Sequence, residues 1–305
     1  MSTAAAPRGS PRRRRGGAYA ELEVLATGPQ ALVQDLGRPG LASVGVGRSG
    51  AADRGSFSLA ARLLGQDPVH AAIEVLLGGL ALRSTSSVTV VLTGAPAPAT
   101  VDGAQVGHAA PFLLPRGSTL QLARPMSGLR TYVAVRGGID VPAVLGSRAT
   151  DTLSGLGPTP LQAGDLLPVG SPSGSPTVDV APVAVPPAGP ITLRAVVGPR
   201  HDWLDDVSAL ATARWRVSSR SDRVGVRLEG PALQRHTDRD GQELTSEGVV
   251  RGSIQVPPGG QPVLFLADHP VTGGYPVVAV VREPDVDLAA QAAPGQTIRI
   301  VLEHP

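Results

Sequence analysis

The sequence predicts a mainly β protein with a few short helices, on three observations. First, 38 glycines and 30 prolines punctuate the 305 residues, breaking them into short apolar runs. Second, those runs have strand length: Ile73–Leu77, Val88–Leu92, Thr131–Val135, Thr192–Val197, Val224–Leu228, Pro262–Leu266, Val277–Val281 and Thr297–Leu302. Third, Pro115–Leu120, Gln162–Leu167 and Pro294–Ile298 share one design, a Gly-centred turn feeding an apolar strand, which suits chain reversal at a barrel rim.

Two helices are expected. One follows Asp53 as N-cap, with Phe57, Ala60 and Leu64 on one face and Gly65 as its stop. The other starts near Asp202, where Asp205 and Asp206 in a first turn would complement the helix dipole. Neither alternates with strands often enough for a doubly wound sheet. Residues 1–20 read as a disordered Arg-rich tail. The stretch 171–189 is Pro/Ser/Gly/Val-rich and reads as a connector. These divide the body into domains at 21–170 and 190–305. A twin-arginine export signal needs an apolar stretch after Arg15, and Gly16-Gly17-Ala18-Tyr19-Ala20-Glu21 stands there instead, so a cytoplasmic protein is expected.

Composition narrows the chemistry. Cysteine is absent, which removes disulfides, thiol nucleophiles and thiolate metal sites, and all 27 basic residues are arginine, which removes Schiff-base, P-loop and biotin-carrying lysines. Net charge is +2, and five arginines of it lie in the tail, at 8 and 12–15. A body near −3 with 3% aromatic residues offers neither the basic face nor the stacking platform of a nucleic-acid binder. No apolar run reaches the roughly 18 residues of a membrane helix. No nucleic acid and no membrane are therefore expected as partners.

Gly45-Val46-Gly47-Arg48-Ser49-Gly50 matches G-x-G-x-x-G, but no strand leads into it and its last glycine does not open a helix, so it is not a dinucleotide fingerprint. A Gly-rich loop can still present N–H groups to an anion, with Arg48 and Arg54 adding charge. The six histidines do not pair at metal-ligand spacing, and no protein-held metal is expected. Arg200-His201-Asp202 joins a cation, an imidazole and a carboxylate. In Leu244–Val256 a carboxylate (Glu247), an arginine (Arg251) and an amide (Gln255) share a β-like run, where burial would raise the Glu247 pKa toward acid/base range. The segment 265–276 is the densest polar cluster between two apolar strands: Asp268-His269 is an acid/base element, Thr272 precedes Gly273-Gly274, which permit close backbone approach, and Tyr275 is one of three tyrosines.

Several of these segments together resemble one family. They are Arg48-Ser49-Gly50-Ala51-Ala52-Asp53-Arg54 with 59–65, Ala72-Ile73-Glu74-Val75 with Gly78-Gly79-Leu80, 130–139, 145–151, Pro199-Arg200-His201-Asp202-Trp203, Arg223-Val224-Gly225 through Gly230, Ser246-Glu247-Gly248, and Ala267-Asp268-His269 through Tyr275. In this order they resemble the family of biotin-dependent carboxyltransferases and 5-oxoprolinase C subunits, also called allophanate hydrolase subunit 2, over residues 21–305. The resemblance implies two cyclophilin-like β-barrel domains. It implies a partner, the B subunit (allophanate hydrolase subunit 1). It implies one of three settings. In an ATP-dependent 5-oxoprolinase, the B and C subunits together activate 5-oxoproline by phosphorylation, and the A subunit finishes its opening to glutamate. A urea carboxylase moves carboxylate from biotin to urea. In the third setting the pair regulates a histidine kinase.

The chain departs from the family pattern at Gly47-Arg48 and at Ser221-Asp222-Arg223, where relatives often carry Pro before the Ser-Gly-Ala segment and Ser-Asn-Arg respectively. It carries neither a biotin-carrier segment nor a carboxylase domain. The oxoprolinase setting is the one expected, with ATP and its Mg2+ as cofactor and biotin only as a donor carried on another protein in the alternative. Arg48, Arg136, Arg200 and Arg251 are expected to hold anionic oxygens of a small-molecule substrate, because guanidinium pairs with phosphate and carboxylate. Ser49, Asp53, Asp202, Gln255, Thr272, Gly273, Gly274 and Tyr275 complete the expected binding set. Glu247, Asp268, His269 and His201 are the expected acid/base residues.

Overall fold

The computed structural model describes residues 20–172, 180–239 and 241–303. Residues 1–19 of the tail, residues 173–179 of the connector, Asp240 and residues 304–305 lie outside the described residues.

In the first half, two antiparallel sheets enclose one core. The six-stranded sheet runs Leu166–Pro168, Glu21–Thr27, Leu80–Ser84, Thr119–Leu122, Ala99–Val101, Ala104–Gln105; the five-stranded sheet runs Gln30–Gln34, Ala72–Leu76, Arg130–Val135, Val88–Gly94, Phe112–Leu114. Bridges from Ile139 to Ala71 and to Val169 tie the sheets at one corner. Alternation does the sorting. In Leu80–Ser84, Leu80 and Leu82 turn inward while Arg83 faces water, and they meet Leu22, Val24, Ile73, Val75, Val90 and Val133 in the core. Helix α1 (Arg54–Leu63) lies outside the five-stranded sheet, with Phe57, Ala60, Leu63 and Leu64 against Val91, Tyr132 and Ala134. Phe57 meets the Tyr132 ring edge to face, centroids 6.0 Å apart. The helix begins at the expected cap, Asp53, and stops before Gly65, whose φ is +63°.

The second half closes into a seven-stranded barrel in the order Ile191–Val197, Val277–Val281, Ser253–Gln255, Val263–Phe265, Gly225–Glu229, Trp215–Val217, Thr297–Glu303. The last strand returns parallel to the first, Ile191 opposite Ile298, which shuts the ring. Trp215 is fully buried in its core and its indole N–H donates to the Leu210 carbonyl. Helix α2 (Ala209–Thr212) lies near the barrel, and α3 (Glu283–Ala290) sends Val286, Ala289 and Ala290 into the core. Ala52, from the first half, packs in the same core.

The helix expected from Asp202 does not form. His201–Trp203 is a single 3-10 turn with Arg200 at its N-cap, and the chain is extended again at Leu204. Leu204 is extended and bridges to Arg235, so the backbone is committed to that pairing where a helix would have to continue. Asp202 caps nothing and pairs with Arg239 at 3.2 Å, while Asp206 accepts from the Ser208 N–H ahead of α2. Among the described residues no helix is long and apolar enough to cross a membrane.

Candidate functional site

A buried ionic cluster locks the two halves together. Arg223, on the turn entering Gly225–Glu229, is buried between Glu74 of the first half and Asp268 of the second. Its Nε donates to Asp268 Oδ2 at 2.9 Å and its Nη2 to Oδ1 at 3.0 Å, while Nη1 donates to Glu74. Asp268 also accepts from the Ser49 hydroxyl at 2.6 Å and from the Thr152 N–H and hydroxyl at 2.9 and 2.7 Å. Glu74 accepts from the Tyr132 hydroxyl at 2.8 Å and the Ala52 N–H at 3.0 Å, with Arg130 at 3.4 Å. Burial pushes both carboxylates up, but the Arg223 charge, helped by Arg130 at Glu74 and by the hydrogen bonds each carboxylate accepts, holds both below their ordinary range. Asp268 is thus a structural anchor, ionised at neutral pH with its oxygens occupied, rather than the acid/base group the sequence suggested. At the departure from the family pattern, Asp222 Oδ1 accepts from the Val224 and Gly225 N–H groups. An asparagine oxygen does the same, so the turn that presents Arg223 is kept.

Above this cluster, the loop at 47–50 faces the loop at 268–276. Ser49 has φ +54° and Gly50 φ +96°. A Cβ on Gly50 would stand 2.7 Å from the Gly37 nitrogen, so only glycine lets the loop press against residues 35–37. Gly47 faces the His269 carbonyl, 3.5 Å from where its own Cβ would be. The His269 ring stacks on Phe265, and its Nδ1 lies 2.7 Å from the Pro270 carbonyl. A carbonyl only accepts, so Nδ1 carries the hydrogen and Nε2 is the bare nitrogen of the neutral ring. Burial pushes its pKa below the ordinary value, and Arg54 and Arg251 push the same way. His269 is therefore uncharged at pH 7.

The same rim gathers cations. Arg48 is exposed, with Nε bonded to the Leu36 carbonyl at 3.2 Å. Arg251 is buried and reaches the Ala52 carbonyl at 2.7 Å, Asp287 at 2.6 Å and Glu283 at 3.1 Å. Arg54 donates to Glu283 at 2.8 Å. Burial, Arg251 and Arg48 all lower the Arg54 pKa, a mark of crowded positive charge.

The loop also forms a small two-stranded antiparallel ribbon with residues 247–248, in which Glu247 pairs with Gly273 and Gly248 with Thr272. Arg200 Nε lies 3.0 Å from both Glu247 oxygens. Glu247 is only partly covered, and its bonds to Arg200 hold its pKa below the ordinary value. This corrects the expectation of a buried, proton-holding glutamate, because a guanidinium fork outweighs the slight desolvation. Gln255 is buried and donates to the Tyr275 carbonyl at 2.7 Å, fixing the loop from beneath; a Cβ on Gly273 would come within 2.5 Å of that amide nitrogen. Gly274 and the exposed Tyr275 line a cavity of about 620 Å³ with Arg235, Glu243, Leu244 and Ser246.

Other expected residues stand elsewhere. Asp53 is buried as the α1 cap, accepting from the Ser56 N–H and from Gln291, and burial and Asp287 raise its pKa; an anion gains nothing there. Arg136 follows the far end of the strand Arg130–Val135, about 20 Å along it from Arg130, and is not brought to the rim. His201 is exposed, with Nδ1 2.9 Å from the Gly198 carbonyl. Among the described residues no cluster of three or more His, Asp or Glu side chains is placed to hold a metal ion. Residue patterns alone assign no role to Glu74, Arg130, Arg223 or the Glu283/Asp287 pair. A signal was present at Glu74, a lone charge in the apolar strand Ala72–Leu76, which burial on both faces obliges to find a cation.

Residues 44–302 match the family model described as carboxyltransferase domain, subdomain A and B. The chain is 38% identical over 285 residues to the 5-oxoprolinase C subunit of Escherichia coli, a match covering 92% of this chain and 90% of that one. It is 31% identical to urea amidolyase of Saccharomyces cerevisiae, of which it spans 16%. The structure superposes on Kluyveromyces lactis urea carboxylase with a TM-score of 0.85 at 30% identity, covering 94% of this chain and 28% of that one. With nearly all of its body matched in both sequence and fold, the chain belongs to the carboxyltransferase-domain family, subdomains A and B.

Proposed function

We propose that the chain is the C subunit of a cytoplasmic ATP-dependent 5-oxoprolinase, working with a B subunit to activate 5-oxoproline and with an A subunit to release L-glutamate. The observation that carries this reading is the end-to-end match to the E. coli protein, 90% of whose length is covered. The rim suits an oxyanion better than a metal. Arg54 and Arg251 each keep a buried Nε–H without a hydrogen-bond partner, in a site where three guanidiniums crowd together. Magnesium accordingly belongs to the nucleotide. When bound, ATP supplies the phosphoryl group that makes the lactam oxygen a leaving group. Arg48, Arg54 and Arg251 hold anionic oxygens and neutralise their charge, as phosphoryl transfer requires. His269 Nε2 is the proton acceptor near them. Arg200 and Glu247 brace the ribbon formed with the 268–276 loop.

Carboxyl transfer from a biotin on another protein is the second reading, favoured by the match to the carboxyltransferase-domain model and by the superposition on urea carboxylase. The test is co-purification with the two partner proteins, followed by assays of ADP and glutamate release with 5-oxoproline and ATP. Release that requires this chain supports the oxoprolinase. Transfer of carboxylate from a biotinylated carrier, without glutamate release, supports the second reading.

A further inference from the structure

We propose that Arg54 and Arg251 form an oxyanion-binding site whose resting occupant is the carboxylate of Glu283. One oxygen of Glu283 accepts from both guanidiniums, from Arg54 Nη1 at 2.8 Å and from Arg251 Nη1 at 3.1 Å. The two arginines come from different halves of the chain, and their side chains are 16% and 5% exposed, whereas Glu283 is 61% exposed. An exposed surface carboxylate is therefore bridging one buried and one half-buried cation. Asp287, one turn further along α3, is held differently: it accepts from the Arg54 and Gly55 N–H groups at 2.9 and 3.0 Å and from Arg251 at 2.6 Å, and is mostly buried. Asp287 is part of the frame and Glu283 is the replaceable ligand. The Nε–H of each arginine is buried without a partner, which leaves donor capacity that Glu283 does not use.

The energetics favour exchange over simple departure. An exposed ion pair is weak, so Glu283 leaves readily. Asp287 still balances Arg251, so departure of Glu283 leaves one cation with little access to water short of a counter-charge, and another oxyanion is favoured in its place. Arg48 lies close enough to act on the Arg54 charge, His269 close enough to feel both arginines, and the buried Asp53 close enough to feel Asp287. A small carboxylate or phosphoryl group fits this chemistry, and a bidentate one would reach more of the fork than one glutamate oxygen does. Glu283 is then an internal competitor that keeps the arginines paired until substrate arrives. The inference rests on the oxoprolinase reading only for which acid arrives.

Calorimetric titration of the full-length chain tests it, with sodium phosphate and sodium 5-oxoproline as separate probes at constant ionic strength. Glu283→Gln removes the competitor and tightens binding of at least one probe by about two- to fivefold, the fold-change set by a weak surface pair. Arg54→Gln weakens the same probe by about tenfold, with circular dichroism confirming that each variant is folded. The probe that responds identifies carboxylate or phosphate as the source. Equal or weaker binding by Glu283→Gln, unchanged binding by Arg54→Gln, or no heat from either probe with Glu283→Gln overturns the proposal. Because the chain is titrated without partners, a reconstituted complex that releases no glutamate would sink the oxoprolinase reading and leave this result standing.

Discussion

Ser49 and Asp268 are separated by 219 residues in sequence and by 2.6 Å in space, and Ser49 adopts a left-handed backbone at φ +54° to make the bond. The hydroxyl joins the 47–50 loop of the first half to the carboxylate from which the 268–276 loop of the barrel begins. Ser49→Ala removes the bond and keeps the backbone strain. It should cost about 1–3 kcal/mol, as a buried acceptor loses one of its donors. Ser49→Gly removes the same bond but relaxes the left-handed residue, so it should cost less than alanine in chemical denaturation.

Arg223 sets the sign of the acid response. Glu74 and Asp268 are held below their ordinary values, so their stabilisation is complete above the unfolded carboxylate range, about pH 4.5, and is lost as pH falls through the lowered folded values. Replacing Arg223 with methionine leaves two buried carboxylates short of their cation and should cost about 3–5 kcal/mol at pH 7. Burial, the largest influence on Asp268, is then opposed only by the Ser49 and Thr152 hydrogen bonds and raises its pKa relative to the parent, so the variant loses less stability on acidification than the parent does. Denaturation at a series of pH values should show the gap between the two proteins narrowing from pH 7 to pH 4. A constant gap contradicts the assignment.

His269 should titrate below the ordinary imidazole value and carry its neutral-form hydrogen on Nδ1, both readable in ¹⁵N–¹H spectra. Protonation removes the base, so turnover by the complex should fall as pH drops through that lowered value. His269→Gln should reduce kcat by about 10²-fold or more and abolish this acidic limb, with little change in KM.

Arg200 and Glu247 are partly exposed, so Glu247→Gln should leave the denaturation midpoint nearly unchanged. Glu247 is already ionised at neutral pH, and its replacement should not move the pH–rate profile. A profile that loses a limb in this variant would return Glu247 to proton transfer.

The strands were legible because the relevant period is local. Val277–Val281 forms over the expected residues, and the other seven apolar runs become strands shifted at one or both ends by a residue or two. The first helix was legible through its cap at Asp53 and its stop at Gly65. The second was misread because acidic residues in a row imitate a first turn, whereas Leu204 leaves the turn extended to bridge with Arg235, a partner 31 residues away. At the site, the Gly-rich loop and the Asp268–His269 segment were visible as unusual local chemistry, and they do face one another. Their roles were not visible. Whether Asp268 is a proton donor or an anchor depends on Arg223 and Ser49, and whether Glu247 is raised or lowered depends on Arg200. Such partners lie 45 to 219 residues away, and no spacing rule reports them.

If this rim, completed by partner proteins, activates 5-oxoproline, the most direct measurement is L-glutamate released per ADP formed by the reconstituted complex, with the wild-type chain and with His269→Gln. The expected result is 5-oxoproline-dependent ADP formation matched by glutamate and lost in the variant. Wild-type ADP formation that ignores 5-oxoproline, or full glutamate release by His269→Gln, would contradict it.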